Sequence, residues 1–133
     1  MTILFLIARI LYGGFFLFSG INHFTKLTSY TQYAASKRVP APAAAVIGGG
    51  VLLVLGGLSV VIGAYPEIGL ILLAVFLLLT TPMMHRFWAE RDPQWRTMEM
   101  VNFMKNVALL GAALMMIVFT YFASGPWPFR MVQ

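Results

Sequence analysis

The sequence predicts an all-α integral membrane protein: a four-helix bundle with a short interfacial helix between helices one and two. Hydrophobic residues make up 60% of the 133 residues and charged residues only 10%, against about 25% charged in an ordinary soluble domain. The apolar residues gather into four runs, each of roughly the 17–25 residues needed to cross about 30 Å of hydrocarbon. The strict alternation of a membrane β-strand is absent, and a helix satisfies its own backbone in lipid.

The first run covers residues 3–21, interrupted only by Arg9. The second (residues 43–64) and third (68–84) carry no charge, and the fourth (101–123) holds Lys105 near its start. The four spans form a single domain over residues 1–133. No basic residue precedes the first run and no Ala-x-Ala site follows it, so an uncleaved first span is expected rather than a signal peptide.

The connections are polar or broken by proline. Tyr65-Pro66-Glu67 reads as a tight turn, and His85 to Met98, with Pro93, as a loop. Leu27, Tyr30 and Ala34 fall on one helical face, with Lys26 and Lys37 read as lying elsewhere, so Leu27–Ser36 reads as a short helix at the membrane surface. Val39-Pro40-Ala41-Pro42 ends it and starts the second span. The tail Gly125-Pro126-Trp127-Pro128-Phe129 does not continue a helix, and Trp127 suits the headgroup zone.

The net charge is +5. The basic residues lie mainly between apolar runs, which points to topology and lipid phosphate contact and away from nucleic acid. Lys26, Lys37 and Arg38 lie in the first connection and Arg86, Arg91 and Arg96 in the third, with only Arg130 opposite. The positive-inside rule then places both long connections in the cytoplasm and both termini outside it, in the cell (inner) membrane. The chain has no cysteine, so thiol or thiolate-metal chemistry would belong to a partner.

Small residues repeat along the second span: Gly49, Gly56 and Gly63 at a spacing of seven, with Gly50, Gly57 and Ala64 one position on. A period of 3.5 keeps one face toward a neighbouring helix, and small residues let backbones approach in lipid. Gly13, Gly14 and Gly20 in the first span and Ala108, Gly111 and Ala112 in the fourth extend the pattern. Close helix packing is one reading; a groove for a flat ligand such as a quinone is the other.

A charge inside a span costs roughly 2.5–3.5 kcal/mol on insertion scales. Arg9 is expected to pair with Glu67, to reach headgroups, or to meet an anion. The denser polar set lies at the other end: Asn22 and His23 close helix one, His85 and Arg86 close helix three, and Glu99, Asn102, Lys105 and Asn106 open helix four. Glu99, Asn102 and Asn106 share one helical stripe. These groups either bind a quinone head group and relay a proton, or form a hydrogen-bonded cluster that fixes helix register. Haem ligation by His23 and His85 is disfavoured, because histidines at helix ends are more often interfacial. A metal site is disfavoured because Glu99 is the lone carboxylate among them.

Several stretches resemble the DoxX family. Arg9 to Gly14 followed by Phe18-Ser19-Gly20-Ile21-Asn22-His23 is similar to the opening of those proteins. Leu55-Gly56-Gly57 with Gly63 resembles their second helix, and His85-Arg86-Phe87-Trp88 the end of their third. Asn102-Phe103-Met104-Lys105-Asn106 with Leu109-Leu110-Gly111 resembles their fourth and is the most specific piece. Many members carry a glutamate three residues before the Gly-Gly pair, where this chain has Leu53. Any role of that acid is not carried over.

The resemblance implies a four-helix membrane bundle linked to quinone-dependent oxidoreductases and thiol stress. The first expectation is therefore a membrane subunit associated with quinone-linked oxidoreductase activity. The second is a non-catalytic accessory subunit of a larger membrane complex, and a small transporter ranks third. Expected partners are membrane lipids and either other membrane subunits or further copies of the chain.

Overall fold

A computed structural model describes residues 1–122 and Trp127. The elements in order are α1 (Thr2–Thr25), α2 (Leu27–Ser36), α3 (Pro42–Ile62), α4 (Pro66–Met84), a single 3₁₀ turn at Phe87–Ala89, and α5 (Pro93–Phe122). Four of these helices are long and apolar enough to cross a membrane, and α2 is the short helix between the first two.

Proline and aspartate set the helix starts. Pro42 and Pro66 stand in the first turn of α3 and α4, where the missing N–H costs nothing. Pro93 opens α5, and the Asp92 carboxylate accepts from the amides of Gln94 and Trp95 at 2.9 and 3.1 Å. This corrects the expectation of a loop as far as Met98. Apolar counting finds where lipid begins, whereas Asp92-Pro93 marks where the helix begins. At 1.5 Å per residue, the 30 residues of α5 measure about 45 Å, well beyond about 30 Å of hydrocarbon. Residues 93–98 are accordingly exposed.

The helices associate through glycine. In α3, Gly50 and Gly57 face α1, and Gly49 and Gly56 face α4. A Cβ on Gly57 would sit 2.6 Å from the Leu17 amide nitrogen and 2.7 Å from the Gly13 carbonyl oxygen. One on Gly56 would sit 2.7 Å from Leu73. The two backbones are thus nearly in contact, and dispersion replaces the hydrophobic drive that lipid does not supply. Gly63 plays another part. It ends α3 with φ 71°, a left-handed cap that a side chain would strain. The core on these interfaces is Phe16, Leu53, Val60, Leu70, Leu73 and Leu77, joined by Trp127.

The circuit closes more loosely. α4 packs on α5, but the backbones of α5 and α1 stay apart. Long side chains bridge them: the Tyr12 hydroxyl donates to the Leu109 carbonyl at 2.8 Å, and Phe5 meets Phe119 at 6.4 Å between centroids. Gly14 and Gly111 have nothing near enough to touch a Cβ. The small residues of α1 and α5 on that side do not draw those two helices together.

This asymmetry predicts opposite outcomes for one kind of substitution. Gly57→Val should destabilise the folded protein by about 1–3 kcal/mol, the usual cost of overpacking. Gly111→Ala should be neutral or slightly stabilising through helix propensity. Thermal unfolding of both variants in one detergent checks this, and equal melting temperatures would contradict it.

Candidate functional site

Two buried ionic groups lie at opposite ends of the bundle. At the end formed by the α3–α4 turn, Arg9 is 2% exposed. Its Nε donates to the Val60 carbonyl at 3.0 Å and one terminal nitrogen to Val61 at 2.8 Å. These carbonyls are among the last of α3 and have no amide one turn on to accept from. The cation therefore rests on the negative end of the helix dipole, with Trp127 5.8 Å from the guanidinium carbon. The expected pairing with Glu67 is not formed among the described residues. Glu67 sits in the first turn of α4, where the dipole is positive. Trp127 is 5% exposed, packs edge-on against Phe5 and donates to Thr120, so its ring is held within this end of the bundle. The rest of the Gly125–Phe129 stretch lies outside the described residues.

At the other end Glu99 is 1% exposed. Desolvating a carboxylate costs several kcal/mol unless donors replace water, and three converge here. The Tyr33 hydroxyl donates to Oε1 at 2.5 Å, His85 Nδ1 lies 2.6 Å from Oε2, and Lys37 Nζ lies 3.4 Å from Oε1. Burial, and next the Glu99 carboxylate, raise the Tyr33 phenol above its ordinary range, so it remains a donor. Lys37 also binds Glu90 at 2.7 Å, and Arg86 donates to the Lys37 carbonyl at 2.6 Å. Phe87 and Trp88 stack edge-on against Phe103, at 5.4 and 5.8 Å. Glu99 thereby ties α2, the end of α4 and the start of α5 into one assembly.

Tyr33, Lys37 and Glu90 are the members of this network that sequence reasoning missed. The signal was present: Tyr30, Tyr33, Ala34 and Lys37 follow the i, i+3, i+4, i+7 spacing of a single helical stripe. Placing Lys37 off the face of Tyr30 is corrected by its contacts, which point inward with that stripe.

Two cavities open beside this assembly. One, about 310 Å³, lies in the loose α1–α5 seam and is lined by His23, His85, Tyr33, Thr80, Lys105 and Asn106, among others. The other, about 320 Å³, lies between α2, α3 and α4; its lining includes Val46, Gly48, Gly49, Leu52, Leu79 and Met83. They share a wall of His23, Tyr30, Tyr33, Phe76, Thr80 and Met84. His23 is set within that wall: Nδ1 lies 2.8 Å from the Ser19 carbonyl oxygen, and its ring meets Tyr30 and Phe76 edge-on.

Of the residues singled out from sequence, His23, His85, Lys105 and Asn106 thus meet around one cavity, with Glu99 bonded to the His85 ring. Asn22 and Asn102 line neither cavity. Asn102 instead accepts from Lys105 at 3.5 Å. No group of three or more metal-binding side chains is found among the described residues.

With this geometry in place, comparison adds a family. The DoxX family model matches residues 4–86. The chain belongs to the DoxX family. Membership and four apolar helices together make it a multi-pass membrane protein in contact with lipid. The match stops at Arg86, so α5, with Glu99, Lys105 and Asn106, lies beyond it. No curated protein and no solved structure matches this DoxX chain.

Two substitutions test how the buried charges are held. Glu99→Ala leaves Lys37 and His85 without their partner and should destabilise by roughly 3–5 kcal/mol, while Tyr33→Phe should cost only about 1.5–3 kcal/mol. At the opposite end, Arg9→Met should lower the melting temperature clearly and Glu67→Gln hardly at all. A Glu67→Gln effect as large as that of Arg9→Met would restore the ion pair that the geometry lacks.

Proposed function

We propose that this DoxX protein binds a quinone-class ligand in its paired cavities and serves as a membrane subunit of a quinone-linked oxidoreductase. The supporting observation is the shared wall. A polar chamber carrying imidazole, amide and ammonium groups adjoins an almost purely apolar one. That is the chemistry of a flat ring with two oxygens joined to a hydrocarbon tail. The ring fits the side of His23, His85 and Asn106, and the tail fits the side of Val46, Leu52 and Leu79. Cavities of this size, mostly apolar with a few convergent polar groups, are the usual form of small-molecule sites. The electrons for any reaction would come from a partner subunit or its cofactor.

We place the cavities toward the cytoplasmic face and both termini outside. The basic residues at positions 26, 37, 38, 86, 91 and 96 support this, against Arg130 on the other side.

A second reading, an accessory subunit of a larger complex, draws on α5. Only 11% of its most apolar window is buried. Met100, Val101, Met104, Val107, Leu114, Met115 and Val118 are exposed along it. Mild-detergent purification should then bring other membrane subunits with the chain, and a chain that always purifies alone speaks against this.

Gly48 offers a test of the cavity. It lines the apolar chamber, and a Cβ there meets nothing within 4 Å. Gly48→Leu should fold normally and weaken binding of a decyl-substituted quinone by about tenfold, or roughly 1.4 kcal/mol. Fluorescence quenching of the purified protein reads this out. Saturable binding unaffected by Gly48→Leu would remove the cavity from consideration.

A further inference from the structure

We propose that the polar cavity prefers the reduced, hydroxyl-bearing form of its ring ligand to the oxidised, carbonyl form. This rests on the cavity reading above and sharpens it to one redox state. The two histidines carry the inference. His23 Nδ1 lies 2.8 Å from the Ser19 carbonyl oxygen, and His85 Nδ1 lies 2.6 Å from Glu99 Oε2. A carbonyl oxygen only accepts a hydrogen bond. Glu99 is likewise held as an acceptor: the Tyr33 hydroxyl donates to its other oxygen, beside the Lys37 ammonium. Both Nδ1 atoms therefore bear the hydrogen.

In a neutral imidazole the remaining nitrogen then carries a lone pair and no hydrogen. Neither Nε2 has a hydrogen-bond partner among the described residues. Both residues line the same cavity. Both rings are also held in place, His23 between Tyr30 and Phe76 and His85 at the end of α4 by Glu99. The cavity wall thus contains two fixed imidazoles with an unbonded acceptor nitrogen, one on α1 and one at the residue that ends α4.

A quinol answers them with two O–H donors. At the two imidazoles the corresponding quinone, which has only acceptors, would set lone pair against lone pair. The Tyr30 and Thr80 hydroxyls of the same wall donate or accept and so favour neither form. Lys105 does not reverse this. It is exposed at the seam, with its ammonium 3.5 Å from Asn102 and 5.8 Å from the Phe15 ring centre. Asn106 is neutral in the comparison, since its amide presents either an oxygen or a nitrogen. Glu99 acts here as a positioning residue: it fixes the tautomer of His85 without needing to touch the ligand. A site with this preference holds the product of a quinone-reducing partner or the substrate of a quinol-oxidising one.

The test compares a decyl-substituted benzoquinone with its quinol, anaerobically, on the purified full chain at about pH 8.5, where imidazoles are ordinarily neutral. The quinol should bind more tightly by on the order of tenfold or more, as expected where a site built to bond a hydroxyl meets an analogue lacking it. His23→Phe or His85→Phe should shrink that ratio toward one. Where a variant does not fold, the wild-type ratio alone decides. Equal affinities, or tighter quinone binding, with Gly48→Leu still weakening both forms, would overturn the preference and leave the cavity reading standing. Binding of neither form would overturn both.

Discussion

A carboxylate removed from water must find its hydrogen bonds within the molecule, and Glu99, on α5, finds them on two other elements. Tyr33 and Lys37 come from α2, His85 from the end of α4, and the acid itself from α5. Each of these elements forms part of a cavity wall. The same rule operates at the far end, where Arg9 donates to the terminal carbonyls of α3. Neither ion is open to solvent, so the two act as clamps at opposite ends of the bundle. By the same contacts the cluster at Glu99 sets the positions of Tyr33 and His85 in the cavity walls.

Between the clamps, packing is uneven, and the unevenness places the cavities. Glycines bring α3 into backbone contact with α1 on one side and α4 on the other. No such contact joins α1 to α5, where Tyr12, Phe15 and Phe119 span the gap. The polar cavity occupies that seam. The apolar one lies where α2 covers α3 and α4, and where Gly48 and Gly49 give no bulk to fill it. Tight packing on one side gives rigidity, and the long side chains of the other leave volume for a ligand.

The fold was readable because lipid imposes so few solutions. Four apolar runs of spanning length, proline-marked connections and the stripe of α2 led to the bundle and its short helix. What escaped was whatever hydropathy does not register. The start of α5 is written in Asp92 and Pro93, which are polar or neutral to a hydropathy count. Among the described residues Arg9 bonds to a pair of backbone carbonyls, which a search for opposite charges, leading to Glu67, passes over. Residue type suggests the headgroup zone for Trp127 but does not show that its ring is buried against Phe5. His23, His85, Lys105 and Asn106 were brought together by counting helix ends. Tyr33 and Lys37 were missed because a helix expected to lie on lipid was read for its apolar face alone.

The reach of the family match bears on how far this site can be generalised. Both cavity histidines, and the α2 residues around them, lie within residues 4–86. The carboxylate that fixes His85 lies on α5, outside that range. The cavity histidines thus lie inside the matched range and the carboxylate that orients one of them lies after it. An imidazole at the end of α4 with no acid beside it is free to take either tautomer, and so to donate to a carbonyl as readily as accept from a hydroxyl. With Glu99 in place that freedom is gone. On the proposed reading, the redox form of a ring that such a pocket favours depends on one residue of α5, while the pocket itself is formed mainly by α1, α2 and α4.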